Sequence, residues 1–233
     1  DNAVNNLDLT INTIGNIQQN ADINLGAQMA DLNAGGSILM AADAATTAAG
    51  IRYSGANGLT LSHLDAGDAG TVFLGSSQGQ IIGLQGAGRA HVEALRLDVD
   101  AANGVGEFEA ISEENPISAG TFNTLVSELQ VRSSSGEIDL TNRKDVSVEA
   151  LQTQGDINFR NFGNVELGQN SVSALYRTDS IVPTAESVPK FGAAGDFGDV
   201  RIVVSELIEG EGANIIAAVD DRDKHAPEVA GFN

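Results

Sequence analysis

The chain repeats itself at a fixed interval. Between Leu125 and Gly168, short apolar doublets recur: Leu129/Val131, Ile138/Leu140, Val146/Val148, Ile157/Phe159 and Val165/Leu167. In each, one residue separates two apolar ones, which is the period-two signature of a strand with one buried face. Turn-forming stretches divide the doublets, among them Ser133-Ser134-Ser135-Gly136, Gln154-Gly155-Asp156 and Asn161-Phe162-Gly163-Asn164. Ile138 and Ile157 stand 19 residues apart, and so do Val146 and Val165. Gly136-Glu-Ile-Asp-Leu and Gly155-Asp-Ile-Asn-Phe are two copies of one local pattern. A constant period near 20 points to units that stack on one another. A β-sandwich or a meander barrel also alternates, but it has no reason to keep the interval. The Asn-Gly pairs that close hairpins do not join adjacent doublets; Asn57-Gly58 and Asn103-Gly104 are the exceptions.

The same unit occurs earlier and later. Gly36-Ser-Ile-Leu-Met, Gly58-Leu-Thr-Leu, Gly70-Thr-Val-Phe-Leu and Gly198-Asp-Val-Arg-Ile each place glycine before a short strand. Ile23/Leu25 and Leu95/Leu97/Val99 fit without it. Ala41 to Ala49 is read as a rung of small residues before a short helix, because it holds two β-branched threonines and ends at Gly50. The expectation is an all-β chain, a right-handed parallel β-helix with rungs of about 20 residues. It would occupy residues 1–219 as about 11 rungs, a rod roughly 50 Å long. Glu113 to Ile117 and residues 176–195 read as loops between rungs, and 220–233 as a polar linker towards a following module. The alternation begins at Leu7, Leu9 and Ile11, which suggests a piece of a longer protein.

Composition agrees with a narrow stacked interior. Aromatics are 4 % of the 233 residues, Trp is absent, and Gly numbers 27. Medium aliphatic side chains stack in columns, while Gly and Asn turn the corners. Composition also excludes several classes. With 12 Lys and Arg against 32 Asp and Glu, the net charge is −20, and no broad cationic face for nucleic acid can be built. Without cysteine there is neither a disulfide scaffold nor a thiolate metal site. No apolar run reaches the roughly 20 residues of a membrane span. An apolar share of 42 % is too high for a disordered acidic tail.

Asp31-Leu-Asn-Ala-Gly-Gly-Ser-Ile-Leu-Met and Leu129-Gln-Val-Arg-Ser-Ser-Ser-Gly-Glu-Ile-Asp-Leu-Thr resemble the repeats of filamentous-haemagglutinin-like proteins and other very large repetitive bacterial surface proteins. The resemblance implies a secreted or surface-displayed β-solenoid, extracellular or outer-membrane-associated, serving adhesion, biofilm or surface assembly. Implied partners are a host or neighbouring cell surface, polysaccharide, like subunits, and flanking domains of the same polypeptide. The repeat positions are structural, so no functional residue is carried across. The expected role is a stiff rod rather than an enzyme.

Chemistry-bearing constellations are few. His63, His91 and His225 form no zinc-binding spacing and are read as surface or corner residues. In Arg96-Leu-Asp98-Val-Asp100, Leu97 and Val99 point inward, so Arg96, Asp98 and Asp100 share the outer face. Two outward acids roughly 7 Å apart beside a cation suit a calcium-dependent β-helical polysaccharide lyase or hydrolase, the alternative reading. An outward acidic face that keeps the rod soluble explains the same residues without catalysis. Calcium sites are read at Asp221 and Asp223, through a faint likeness to cadherin linkers, and at Asp196 and Asp199. A linker and a turn are the plainer readings of those two segments. Self-assembly into a filament or sheath through end-to-end pairing is a third reading.

Overall fold

The computed structural model describes residues 7–84, 89–106 and 122–167, and the strand backbone at 172–174, 200–203, 206–209 and 215–217. The chain winds as a parallel β-solenoid of about seven turns, about 21 residues apart. The described residues hold no helix.

The first strand, β1 (Leu9–Thr13), is followed by a pass of three strands: β2 (Ile17–Gln19), β3 (Ile23–Asn24) and β4 (Met29–Ala34). The next pass holds β5 (Ile38–Met40), β6 (Ala45–Thr47) and β7 (Gly50–Gly55). Then come β8 (Leu59–Leu61) with the long β9 (His63–Ser76), and β10 (Ile81–Gly83) with β11 (Val92–Ala101). Below them lie β12 (Phe122–Ser133), then β13 (Ile138–Asn142) with β14 (Val146–Thr153). The last passes are β15 (Ile157–Asn161), β16 (Asn164–Leu167) and β17 (Val172–Ala174), then β18 (Val200–Val203), β19 (Glu206–Glu209) and β20 (Ile215–Ala217). Every strand pair is parallel.

Parallel pairing in register turns sequence spacing into columns. Ala30, Ile51, Val72, Leu97, Leu129, Val148 and Leu167 form one inward column. Leu32, Tyr53, Leu74, Val99, Val131 and Leu151 form the next, all at most 1 % exposed. Ile38, Leu59, Ile81, Val105, Ile138 and Ile157 line a second wall. All five doublets of the 19-residue period are buried in strands. The Ala-rich stretch is strand β6 running into β7, as its β-branched residues suggest. Asn57-Gly58 and Asn103-Gly104 close corners between parallel strands instead of hairpins.

The estimate of 11 rungs is too high. Turns are 21 residues long at the N-terminal end (Leu9 to Ala30), but Val72 pairs with Leu97 and Leu97 with Leu129. In the sequence, the extra residues fall between Ile81 and Val92 and between Val105 and Phe122. About seven turns at the inter-strand spacing give a stack roughly 34 Å long.

Two devices bind successive turns where the ladder bends. Glycines let backbones touch: a Cβ on Gly104, whose φ is 103°, would lie 2.6 Å from the carbonyl oxygen of Glu137. Side-chain acceptors meet the opening N–H groups of the following turn. The amides of Met29, Ser37, Ala45 and Asn164 donate to Oδ1 of Asp8, Asn16, Asp22 and Asp145, at 2.8–2.9 Å. These Asp and Asn side chains satisfy donors that the bend would otherwise orphan.

Two polar networks lie inside the barrel. The Gln19 amide Nε2 donates to Ala45 O and Thr46 Oγ1, and the Tyr53 hydroxyl donates to Gln19 Oε1 at 2.9 Å. Burial pushes the Tyr53 phenol up to about 12, although its bond to Thr46 opposes the shift. Asn142 Oδ1 accepts from Val126 N at 2.9 Å and Thr124 Oγ1 at 3.0 Å, and its Nδ2 donates to Asn161 Oδ1 at 2.8 Å. Thr124, Asn142 and Asn161 are thus a hydrogen-bonded column across three turns. Asn142→Ala should lower unfolding stability by about 2–3 kcal/mol in a urea titration, because the buried Val126 amide loses its acceptor. Asn142→Asp should not restore it, since the Nδ2 donors are then gone.

Candidate functional site

The wall formed by β4, β7, the second half of β9, β11 and β12 turns one face to solvent. Leu97 and Val99 are fully buried there, so Arg96, Asp98 and Asp100 point outward together, as their spacing predicts. Each already has structure around it. Arg96 makes a two-pronged pair with Glu149, with Nη1 and Nη2 donating at 2.9 and 2.8 Å, and a longer bond of 3.4 Å to Glu128. These bonds to Glu149, opposed by partial burial, raise the guanidinium further above its ordinary range. Asp98 Oδ1 accepts from the Gln130 amide at 2.8 Å. Asp100 is exposed and stands opposite Arg132 in register.

Glu149 was not singled out in the sequence because it occupies a bulge. The register between β12 and β14 shifts after Leu129, so Ala150 and Leu151 are both buried and Glu149 is thrown outward. From there it reaches Arg96, two turns away. On the same face, Phe73 stands between Arg52 and Asp98 in register, with the Arg52 guanidinium 5.3 Å from the ring centroid. The outer face therefore carries charged groups, an amide and one aromatic surface in a small area.

Several other outward positions are covered. His63, His91 and Arg160 are at most 9 % exposed, and Asp139 and Asn158 at most 2 %. The histidines are corner residues, as expected, but they are buried rather than surface groups. His63 Nδ1 donates to Ala90 O at 2.8 Å. His91 Nε2 lies 3.0 Å from Leu84 O, and its Nδ1 accepts the Asn123 amide at 3.0 Å. The Asn158 amide donates to Asp139 Oδ1 at 3.2 Å, while Asn158 Oδ1 and Arg160 Nη2 have no hydrogen-bond partner among the described residues.

Among the described residues, no group of three or more His, Asp or Glu is placed to hold a metal ion. Asp196, Asp199, Asp221, Asp223 and His225 lie outside the described residues, as do the loops at 113–117 and 176–195 and the linker 220–233. No helix among the described residues is long and apolar enough to cross a membrane. No family model, curated protein or solved structure matches the chain.

Stacking also brings like charges together. Burial raises the Glu137 carboxyl above its usual range, and the neighbouring charges of Asp156 and Asp139 raise it further. The folded state therefore holds this proton more tightly than the unfolded chain, and ionised Glu137 costs stability at neutral pH. Glu137→Gln should raise the melting temperature at pH 7. The gain should shrink as pH falls through the raised folded value, where the wild-type carboxyl is already protonated. Scanning calorimetry at pH 7 and pH 4 checks both parts.

Proposed function

We propose that this chain is a rod segment of a large secreted or surface-displayed bacterial protein, acting in adhesion, biofilm or surface assembly. The observation that carries this reading is the continuous parallel ladder, with a few register shifts, running from β1 through β4, β7, β9, β11, β12, β14 and β16 to β19. Such a stack transmits load along its axis through backbone hydrogen bonds and repeats its outer surface at every turn. Among the described residues, β1 pairs only with β4, and the side chains of Leu7, Ile11 and Ile14 beside it are exposed, at 72, 37 and 99 %. An edge of this kind suits pairing with a flanking coil or a like subunit.

The polysaccharide-active reading keeps one supporting observation, Phe73 in register with Asp98 on the open face. An aromatic surface beside an acid is a common way to seat a sugar ring. In that reading Asp98 and Asp100 are the acids and Arg96 the neighbouring cation.

One experiment separates the two. Residues 138–156 make one turn, since Ile138 pairs with Ile157 and Asn142 with Asn161. Removing them in frame should leave a folded rod shorter by about 4.8 Å in small-angle scattering. Beads coated with the shortened rod should bind cell surfaces or polysaccharide films within about twofold of the intact chain, because binding by repeated surfaces changes little when one repeat of several is lost. Depolymerisation of an acidic polysaccharide by the purified chain, abolished by Asp98→Asn or Asp100→Asn, would replace the rod with the enzyme.

Calcium belongs to the same proposal. A net charge of −20 on a narrow stack produces self-repulsion that divalent cations relieve more strongly than monovalent ones. Calcium should raise the melting temperature above that in NaCl of equal ionic strength. Equal effects of the two salts would remove calcium from the proposal.

A further inference from the structure

His91 occupies a position that asparagine or aspartate fills elsewhere. At four bends, an amide opening a strand or the turn into it donates to a carboxylate or amide oxygen of the preceding turn, on Asp8, Asn16, Asp22 and Asp145. At the bend entering β12, the Asn123 amide donates instead to His91 Nδ1, at 3.0 Å. A carboxylate or amide oxygen accepts throughout the neutral range, whereas an imidazole nitrogen accepts only while unprotonated.

The surroundings fix the same state. With Nδ1 accepting, the ring proton is on Nε2, which donates to Leu84 O at 3.0 Å. The ring leaves no room to turn away: a Cβ on Gly83 would stand 2.1 Å from its Cε1, and the Phe122 ring lies 5.3 Å from it on the other side. His63 is the titratable group that acts on it, and its charge opposes a second one on His91. The charged groups on the adjoining stretches are Asp65 beyond His63, and Arg89 and Glu93 on the segment of His91 itself. Among the described residues, no carboxylate accepts a bond from the His91 ring.

The bend is also where the solenoid departs from its period. The two longer turns, Val72 to Leu97 and Leu97 to Leu129, gain their extra residues before His91 and before Phe122. His91 bonds to Leu84, where the first excess begins, and to Asn123, just after the second ends.

We propose that His91 is an acid-sensitive pin between these two turns: neutral, it holds the start of β12 to the preceding turn, and protonated, it releases that contact. Protonation at Nδ1 would set an N–H against the Asn123 N–H, breaking that part-buried bond and placing a buried charge on His91 beside His63. Burial first, and His63 after it, keep the folded imidazole below its ordinary value, against the bond to Leu84. The unfolded chain therefore takes the proton first, and the stabilisation is present above about pH 6.5 and is lost as pH falls below it.

Imidazole nitrogen NMR on the intact chain, with amide hydrogen exchange, tests the pin. His91 should be the neutral Nε2–H tautomer at pH 7.5. Between pH 7.5 and 5.5, protection of the Asn123 amide, corrected for intrinsic exchange, should fall severalfold, up to about tenfold, the limit for a group of ordinary value 6.5 at one pH unit below it. The amide of Met29, held by Asp8 at 2.9 Å, should not follow it. His91→Gln keeps an acceptor and a donor but cannot titrate, so the fall at Asn123 should vanish. A charged His91 at pH 7.5, or an undiminished pH response in His91→Gln, would overturn the proposal. If that variant does not fold, the wild-type titration decides: an Asn123 amide shift that ignores the His91 titration refutes the pin. His63→Gln should raise the pH at which His91 titrates, and no change there would remove His63 from the account.

Discussion

Everything in this fold hangs on one rule: each turn must hydrogen-bond to the next in parallel register, roughly 4.8 Å away. That spacing allows no slack along the axis. A residue therefore meets its equivalent in the turn above and below, and like stacks on like. For Ile38, Leu59 and Ile81 this gives a dry column that adds apolar contact at every turn. For Glu137 and its acidic neighbours it gives repulsion. For Thr124, Asn142 and Asn161 it gives a polar column in which each amide satisfies the next, so polar groups can occupy the core without being orphaned.

The rule also explains the glycines. Where strands turn a corner, the backbones of adjacent turns come closer than any side chain permits. A Cβ on Gly155 would lie 2.2 Å from the carbonyl oxygen of Gly136 one turn back. The glycine-before-strand pattern is thus a requirement of stacking, repeated wherever two such corners meet. Few aromatics follow from the same geometry. Tyr53 fits because Gln19 and Thr46 anchor its hydroxyl, and Phe122 and Phe159 each occupy one buried place.

The legible parts of the structure were those that the period controls. From Leu129 to Leu167 the apolar doublets recur regularly, so parity alone places all five of them in the core. Arg96, Asp98 and Asp100 were placed outward on the same ground. Parity fails where a residue is added. Leu151 follows Val148 by three positions, and no alternation identifies Glu149 as the partner of Arg96. Parity also says only that a side chain leaves the barrel, not what then lies over it. His63 and His91 are outward by position and buried in fact, because Ala90 and Leu84 carbonyls meet them from a segment with no repeat. Longer connections at the corners disturb the count of turns without disturbing the ladder, since the entropy of closing a loop grows slowly with its length. That is why the number of turns was the least legible quantity.

Four of the side-chain bonds at the bends run in one direction, and the Val126 amide, which donates forward to Asn142, runs the other way. In each of the Asp8, Asn16, Asp22 and Asp145 contacts the acceptor belongs to the earlier turn and the donor to the later one. The stack is therefore chemically polar along its axis, although its hydrophobic columns are nearly symmetric. At those four bends, stripping the earlier turn bares an amide on its successor, whereas stripping the later turn leaves a side-chain oxygen that water solvates readily. A chain emerging N-terminus first would find the later turn at each of those bends already supplied with an acceptor, so the same contacts that fasten the finished rod also give its assembly a direction.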